Sequence, residues 1–152
     1  MAENSNFDLQ NFLPYLLNQA AETTSLEFQR RYREEYGMLR TEWRVLFHLG
    51  RYGDMTAKAI CERARLHKTK VSRAVRALEV KNFLTRTEQP DDRRHEILTL
   101  TKRGQTTYEK LADGARRFDE TLSERFSDEE NAIMKRCLSK LAARPTPSSN
   151  RR

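Results

Sequence analysis

Between Arg65 and Arg76 the chain carries five basic residues, Arg65, Lys68, Lys70, Arg73 and Arg76, and no acid. Thr69, Ser72, Arg73 and Arg76 recur there at helical spacing, which puts hydroxyl and guanidinium groups on one helix face. Val71, Ala74, Val75 and Leu78 repeat the spacing on the opposite face, so such a helix can bury one side and present the other. A row of donors and cations with no carboxylate among them suits a polyanionic partner. A second cluster, PDDRRHEILTLT at 90–101, sets two acids, two arginines and a histidine before a run with the β-branched, apolar make-up of a strand.

The net charge of +7 is concentrated in the middle of the chain. Residues 51–104 hold fourteen Lys and Arg against seven Asp and Glu, whereas residues 1–50 hold five against seven and residues 105–152 ten against eight. The basic excess therefore belongs to the segment that holds both clusters. A solvated basic face is the bland alternative for the helix, and mutually satisfied charges at a hairpin tip the bland alternative for the second cluster. Their occurrence together favours the polyanion.

The elements that would position these residues are mostly helical. The chain has 152 residues, 34% of them charged, with only five Gly and four Pro, a balance typical of one helix-rich domain. Apolar residues from Leu9 and Phe12 to Phe28 and Tyr32 recur at helical spacing, which predicts a long amphipathic helix from near Leu13 to about Tyr36, with Pro14 in its first turn. Thr41 is the expected N-cap of a helix carrying Trp43, Leu46 and Phe47, stopped by Gly50 and Gly53. TAKAICERA, a short break at RLH, and KTKVSRAVRALEVKN then have helix-turn-helix spacing.

Asn82 can supply the left-handed residue that ends the second of these helices. Phe83 to Thr87 and Ile97 to Leu100 read as strands around a turn at Pro90-Asp91-Asp92, so the second cluster is a hairpin tip. Thr101 can cap a helix with Tyr108, Leu111, Ala115, Phe118 and Leu122, and Ser127 to Glu130 forms a capping box opening a last helix with Ile133, Leu138 and Leu141.

Several function classes lack a signal. No window approaches 18 apolar residues and the start, MAENSNFDLQ, has no secretory pattern, so a cytoplasmic protein with no membrane partner is expected. Cys61 and Cys137 lie far apart without CxxC spacing, and His48, His67 and His95 share no ligand spacing with them, so neither metal nor cofactor is expected. No Gly-rich phosphate loop, Ser-His-Asp set or carboxylate pair points to an enzyme.

A helix-turn-helix followed by a hairpin with a basic tip is a winged helix, and the order resembles the MarR family of bacterial transcription regulators. The match runs over about residues 10–142. It is sharpest in TEWRVLFHL (41–49), LHKTKVSRAVRALEVKNFL (66–84) and DRRHEILTLTKRG (92–104). The last resembles the family's wing signature, whose acid falls on Asp92, arginine on Arg94, Leu-Thr on Leu100-Thr101 and glycine on Gly104.

The resemblance implies a mainly α (α+β) fold: a winged helix-turn-helix with a two-stranded β-wing and long terminal dimerisation helices. It implies a single domain at 10–142, with a DNA-binding lobe at 41–104, dimerisation helices at 10–36 and 102–142, an N-terminal arm at 1–9 and a disordered tail at 143–152. The implied protein is a homodimer on a pseudo-palindromic double-stranded operator, a repressor released by a small aromatic or phenolic ligand. Apolar residues with no obvious core of their own, among them Phe12, Leu16, Phe118, Ile133 and Leu141, support a second subunit independently.

Under this reading Thr69, Ser72, Arg73 and Arg76 meet bases, and Lys68 and Lys70, with Arg65 and Arg93 as weaker candidates, meet phosphates. The resemblance puts Arg94 in the minor groove braced by Asp92. Tyr15 and Trp43 are the candidate ligand-binding residues. His67 departs from the Ser or Asp common at the recognition-helix cap. Two alternatives stay open: redox regulation through Cys137, whose neighbour Arg136 favours a thiolate, or through Cys61, expected to pack inward; and a nucleoid-type protein that binds DNA without sequence choice.

Overall fold

A computed structural model describes residues 6–143, with no account of the side chains of residues 92–94. The described chain divides into two compact units, the first ending at Ala115 and the second beginning at Arg116.

In the first unit, a short 3-10 turn at Leu9–Asn11 precedes α1, Leu13–Tyr36, which has Pro in its first turn as expected. Gly37, in the left-handed region at φ 61°, ends it. Next comes α2, Arg40–Tyr52, and here the expected boundaries need correction. Leu39, not Thr41, occupies the cap position, because the Glu42 carboxylate reaches back to accept the Leu39 backbone N–H. Gly50 does not stop the helix. It lies inside α2, where an added Cβ would run into the Tyr108 ring, and Gly53 at φ 82° is the terminator.

The helix-turn-helix forms as read. The first helix, α3, covers Ala57–Ala64, with the Thr56 hydroxyl accepting the Ala59 N–H at 3.1 Å, and ends on Arg65 in the left-handed region at φ 53°. The recognition helix, α4, covers Lys68–Val80 and buries Val71, Ala74, Val75 and Leu78. Asn82, at φ 61°, turns the chain into the hairpin.

The expected two-stranded wing belongs to a three-stranded antiparallel sheet. A two-residue strand β1, Met55–Thr56, pairs with β3, Asp92–Leu100, which also pairs with β2, Leu84–Gln89, giving the order β1-β3-β2. So short a strand has no periodicity to read. Ile60, Leu46, Leu78, Phe83, Leu84 and Leu98 form the core of this lobe.

Thr101 directly precedes the helix α5, Lys102–Ser123. Its hydroxyl accepts the Gly104 N–H at 3.0 Å and donates to the Asn82 carbonyl at 2.6 Å, so one side chain caps α5 and ties it to the turn after α4.

In the second unit, Ser127 caps α6, Asp128–Ala142, in a capping box with Glu130. The Asn131 side chain donates to the Ser123 carbonyl at 2.9 Å. Ile133, Met134, Leu138 and Leu141 are exposed on α6. Cys137 is exposed among them, where apolar helix faces ordinarily find cover. The expected tail at 143–152 lies outside the described residues beyond Ala143, as does the arm at 1–9 before Asn6.

Candidate nucleic-acid interface

Three side chains, Lys81, Arg44 and Arg86, tie the helix-turn-helix to its neighbours. Glu42, 3% exposed, accepts an ion pair from Lys81 at 2.7 Å, and Lys81 also donates to the Gly37 carbonyl at 2.9 Å, so the end of α4 is clamped to the start of α2. Arg44 donates to the Ala64 carbonyl at 3.1 Å, satisfying an orphan acceptor at the end of α3. Burial, with help from the Arg40 charge, lowers the Arg44 pKa, yet a guanidinium remains protonated. Arg86 bridges α4 and the wing, pairing with Glu79 at 3.0 Å and Glu96 at 3.3 Å. None of these contacts has a signal in the sequence, because each pairs residues from separate elements.

At the other end of α4, the His67 ring supplies the cap: its Nδ1 accepts the Thr69 N–H at 3.2 Å. An imidazole nitrogen thus replaces the usual hydroxyl or carboxylate oxygen.

With its ends held, α4 presents Thr69, Ser72, Arg73 and Arg76 as exposed side chains on the face opposite its buried stripe. Lys68 and Lys70 are exposed in its first turn, and Arg65 is exposed at the connection from α3. The backbone of Asp92, Arg93 and Arg94 lies at the start of β3, while the side-chain roles expected for them fall outside the described residues.

Beside α4 the lobe opens into a cleft of ≈ 610 Å³, walled by α3, α4 and the hairpin, with Lys58, Cys61, Lys68, Ser72, Arg86 and His95 among its lining. Cys61 is half-buried there rather than packed inward. Lys58 carries no motif that singles it out, and His95 stands in the hairpin-tip cluster with no role assigned to it; only the folded lobe puts them beside Lys68 and Ser72.

Trp43 packs edge-on against Phe28 at 5.5 Å and Phe47 at 4.9 Å, within an aromatic core that includes Tyr32. The Tyr32 hydroxyl is buried near Trp43 and Arg40, and burial raises its pKa, so it stays a neutral phenol. Tyr15 is half-buried on α1, and neither Tyr15 nor Trp43 lines the cleft. Among the described residues no three His, Cys, Asp or Glu are grouped as metal ligands, and no helix is long and apolar enough to cross a membrane.

A tri-helical lobe with a recognition helix and an antiparallel hairpin defines a winged helix-turn-helix protein. The sequence pattern of the MarR family matches residues 36–95. The HTH-type transcriptional regulator YwoH of Bacillus subtilis is 31% identical over 97 residues, 64% of this chain and 70% of that protein. A MarR/EmrR family transcriptional regulator from Acinetobacter sp. ADP1 superposes with a TM-score of 0.79 at 28% identity, over 89% of this chain and 95% of the other. BpsR of Bordetella bronchiseptica, whose DNA binding is regulated by 6-hydroxynicotinic acid, shares the fold at a TM-score of 0.81 and 18% identity, over 91% of this chain and 98% of its own. The chain belongs to the MarR family of transcriptional regulators.

Proposed function

We propose that this regulator binds double-stranded DNA in a sequence-specific way, as a homodimer on a pseudo-palindromic operator, and that it is a cytoplasmic repressor released by a small aromatic or phenolic ligand. The observation that carries the reading is the exposed row Thr69, Ser72, Arg73 and Arg76 on a helix whose other face is buried in the lobe. The major groove admits such a helix, and guanidinium forks match guanine edges. Arg73 and Arg76 read bases, with Thr69 and Ser72 on bases or phosphates. Lys68, Lys70, Arg65 and Arg93 neutralise phosphates, and Arg94, braced by Asp92, enters the minor groove, where a narrow groove concentrates negative potential.

The domain limits proposed are a lobe at 41–104 and dimerisation helices at 10–36 and 102–142. Two exposed apolar faces support the dimer: Phe12, Leu13 and Leu16 in the first unit, and Ile133, Leu138 and Leu141 in the second. Two-fold symmetry then sets half-sites roughly 10 bp apart. The ligand response of BpsR supports an aromatic effector, with Tyr15 and Trp43 as the residues to test first. A second reading, redox control, is favoured by the exposed Cys137 thiol on α6.

Footprinting on the DNA upstream of the protein's own gene locates the operator, and titrations against cognate and scrambled duplexes test base reading. Arg73→Ala is expected to cost about 1–3 kcal/mol on the cognate site and to relax one base position, whereas Lys70→Ala weakens binding to every duplex and reduces the salt slope by about 1. Equal losses for Arg73→Ala on all sequences would show a non-specific, nucleoid-type binder. Arg94→Ala is expected to lower affinity most for operators with A·T-rich flanks. An unchanged affinity and A·T preference would remove the wing from the account.

A further inference from the structure

The roles above leave Arg86 without a part in DNA reading. We propose that it is a positioning residue: its guanidinium, shared between Glu79 on the recognition helix and Glu96 on β3, fixes the angle at which the hairpin stands to α4 and so delivers the hairpin tip to the minor groove. This rests on the DNA-binding reading and adds to it a residue that acts through Arg94 rather than on the duplex.

On the hairpin face that carries Leu84 and Leu98, burial ends with those two residues, each 1% exposed. Arg86, two residues beyond Leu84 on the same face and opposite Leu98 in register, is the next side chain outward on β2. From there to the turn the hairpin stands clear of the core. Thr87, Glu88 and Gln89 are exposed, the register shifts between Glu88 and Gln89, and the hairpin and α4 part around the cleft of ≈ 610 Å³. The turn lies roughly 13 Å past Arg86 at about 3.3 Å per residue, so rocking the hairpin by about 10° at this point moves its tip by about 2 Å. Groove contacts tolerate about 0.5 Å.

Arg86 is built to prevent that rocking. Its Nε donates to Glu79 at 3.0 Å and its Nη1 to Glu96 at 3.3 Å, and because a guanidinium is planar and rigid, bonds from two of its nitrogens to two elements fix a direction between them. Glu88 lies opposite Glu96 across the strands, where like charges oppose pairing, so the same cation also offsets a repulsion inside the hairpin. All three side chains keep contact with water, and ion pairs of that kind add little to stability. What this network sets is orientation.

Arg86→Met alone would also leave an unbalanced carboxylate facing phosphates, so the informative variant is Arg86→Met/Glu79→Gln, which keeps the wild-type net charge and lacks the tie. On an operator with A·T-rich flanks, Arg94→Ala is expected to weaken the wild type about tenfold. In the double variant the same substitution is expected to change binding less than about twofold, while Arg73→Ala keeps its full loss in both backgrounds. Arg86→Lys, with one nitrogen for two carboxylates, is expected to fall between them. Hydrogen exchange in the free full-length protein reads the tie without DNA: peptides from 87–96 are expected to exchange several-fold faster in the double variant, with those from 68–80 unchanged.

An Arg94 effect as large in the double variant as in the wild type overturns the positioning role and leaves the DNA reading standing. Equal quickening of both segments overturns it as well, since Arg86 then only stabilises the lobe. Wild-type binding that is indifferent to Arg94→Ala removes the wing reading and this role together.

Discussion

Replacing Lys81 by Met is expected to destabilise the protein by about 2–4 kcal/mol, below the full cost of breaking a wholly buried pair because Lys81 keeps part of its side chain in water. Its partner Glu42 has only 4% of its side chain exposed, so the substitution leaves a carboxylate in the lobe with the Leu39 N–H as its remaining partner. The Gly37 carbonyl loses a donor as well. Urea unfolding followed by circular dichroism measures the effect. The double variant Glu42→Gln/Lys81→Met is expected to recover much of the loss, because a neutral amide can still accept the Leu39 N–H without a buried charge. A loss below about 0.5 kcal/mol in the single variant, the range of ordinary surface substitutions, would show that the clamp contributes little. The pair joins the end of the recognition helix to the start of α2, so operator affinity should fall with it.

Gly104→Ala is the second large effect, and two contributions oppose one another. Alanine improves helix propensity in α5 by up to about 1 kcal/mol. Against that, its Cβ would overlap the carbonyl oxygen of Phe83, which accepts the Thr101 N–H at 3.0 Å. Backbone cannot swing aside as a side chain can, so the first turn of α5 must move off the turn after α4 and strain the Thr101 bonds to Asn82 and Gly104. Overpacking costs about 1–3 kcal/mol and more where backbone shifts, so the net expectation is a destabilisation of about 2 kcal/mol or more. Gly50→Ala provides the comparison. Its Cβ would meet Cγ and both Cδ atoms of Tyr108, which a ring flip does not move away, so the half-buried side chain must swing as a whole; because a side chain can do so where backbone cannot, a smaller loss is expected in the same thermal-melt series. A Gly104→Ala protein as stable as the wild type would show that this junction yields easily.

These two positions show what could be read before folding. Gly104 was legible as the glycine of a wing signature; its physical reason, a carbonyl oxygen in contact, was not. Glu42 and Lys81 carry no signal, since residues 39 positions apart in sequence meet only after α2 and α4 pack. The boundary at Thr41 failed for a related reason: a hydroxyl is the stronger prior for a cap, but Glu42 performs the capping from inside the helix. Gly50 has the local preference of a helix stop, and that preference carries no information about the Tyr108 ring packed against it.

What the amino-acid order determined alone is the set of helices, the helix-turn-helix spacing, the hairpin and the amphipathic division of α4. All of these depend on neighbours within a turn or two, where periodicity and capping chemistry act. Tertiary structure decided the third strand, the Glu42–Lys81 and Arg86 clamps, the aromatic enclosure of Trp43, and the meeting of Lys58, His95 and Cys61 around one cleft. Those rest on through-space contacts between distant segments, whose energies exist only once the chain has closed on itself.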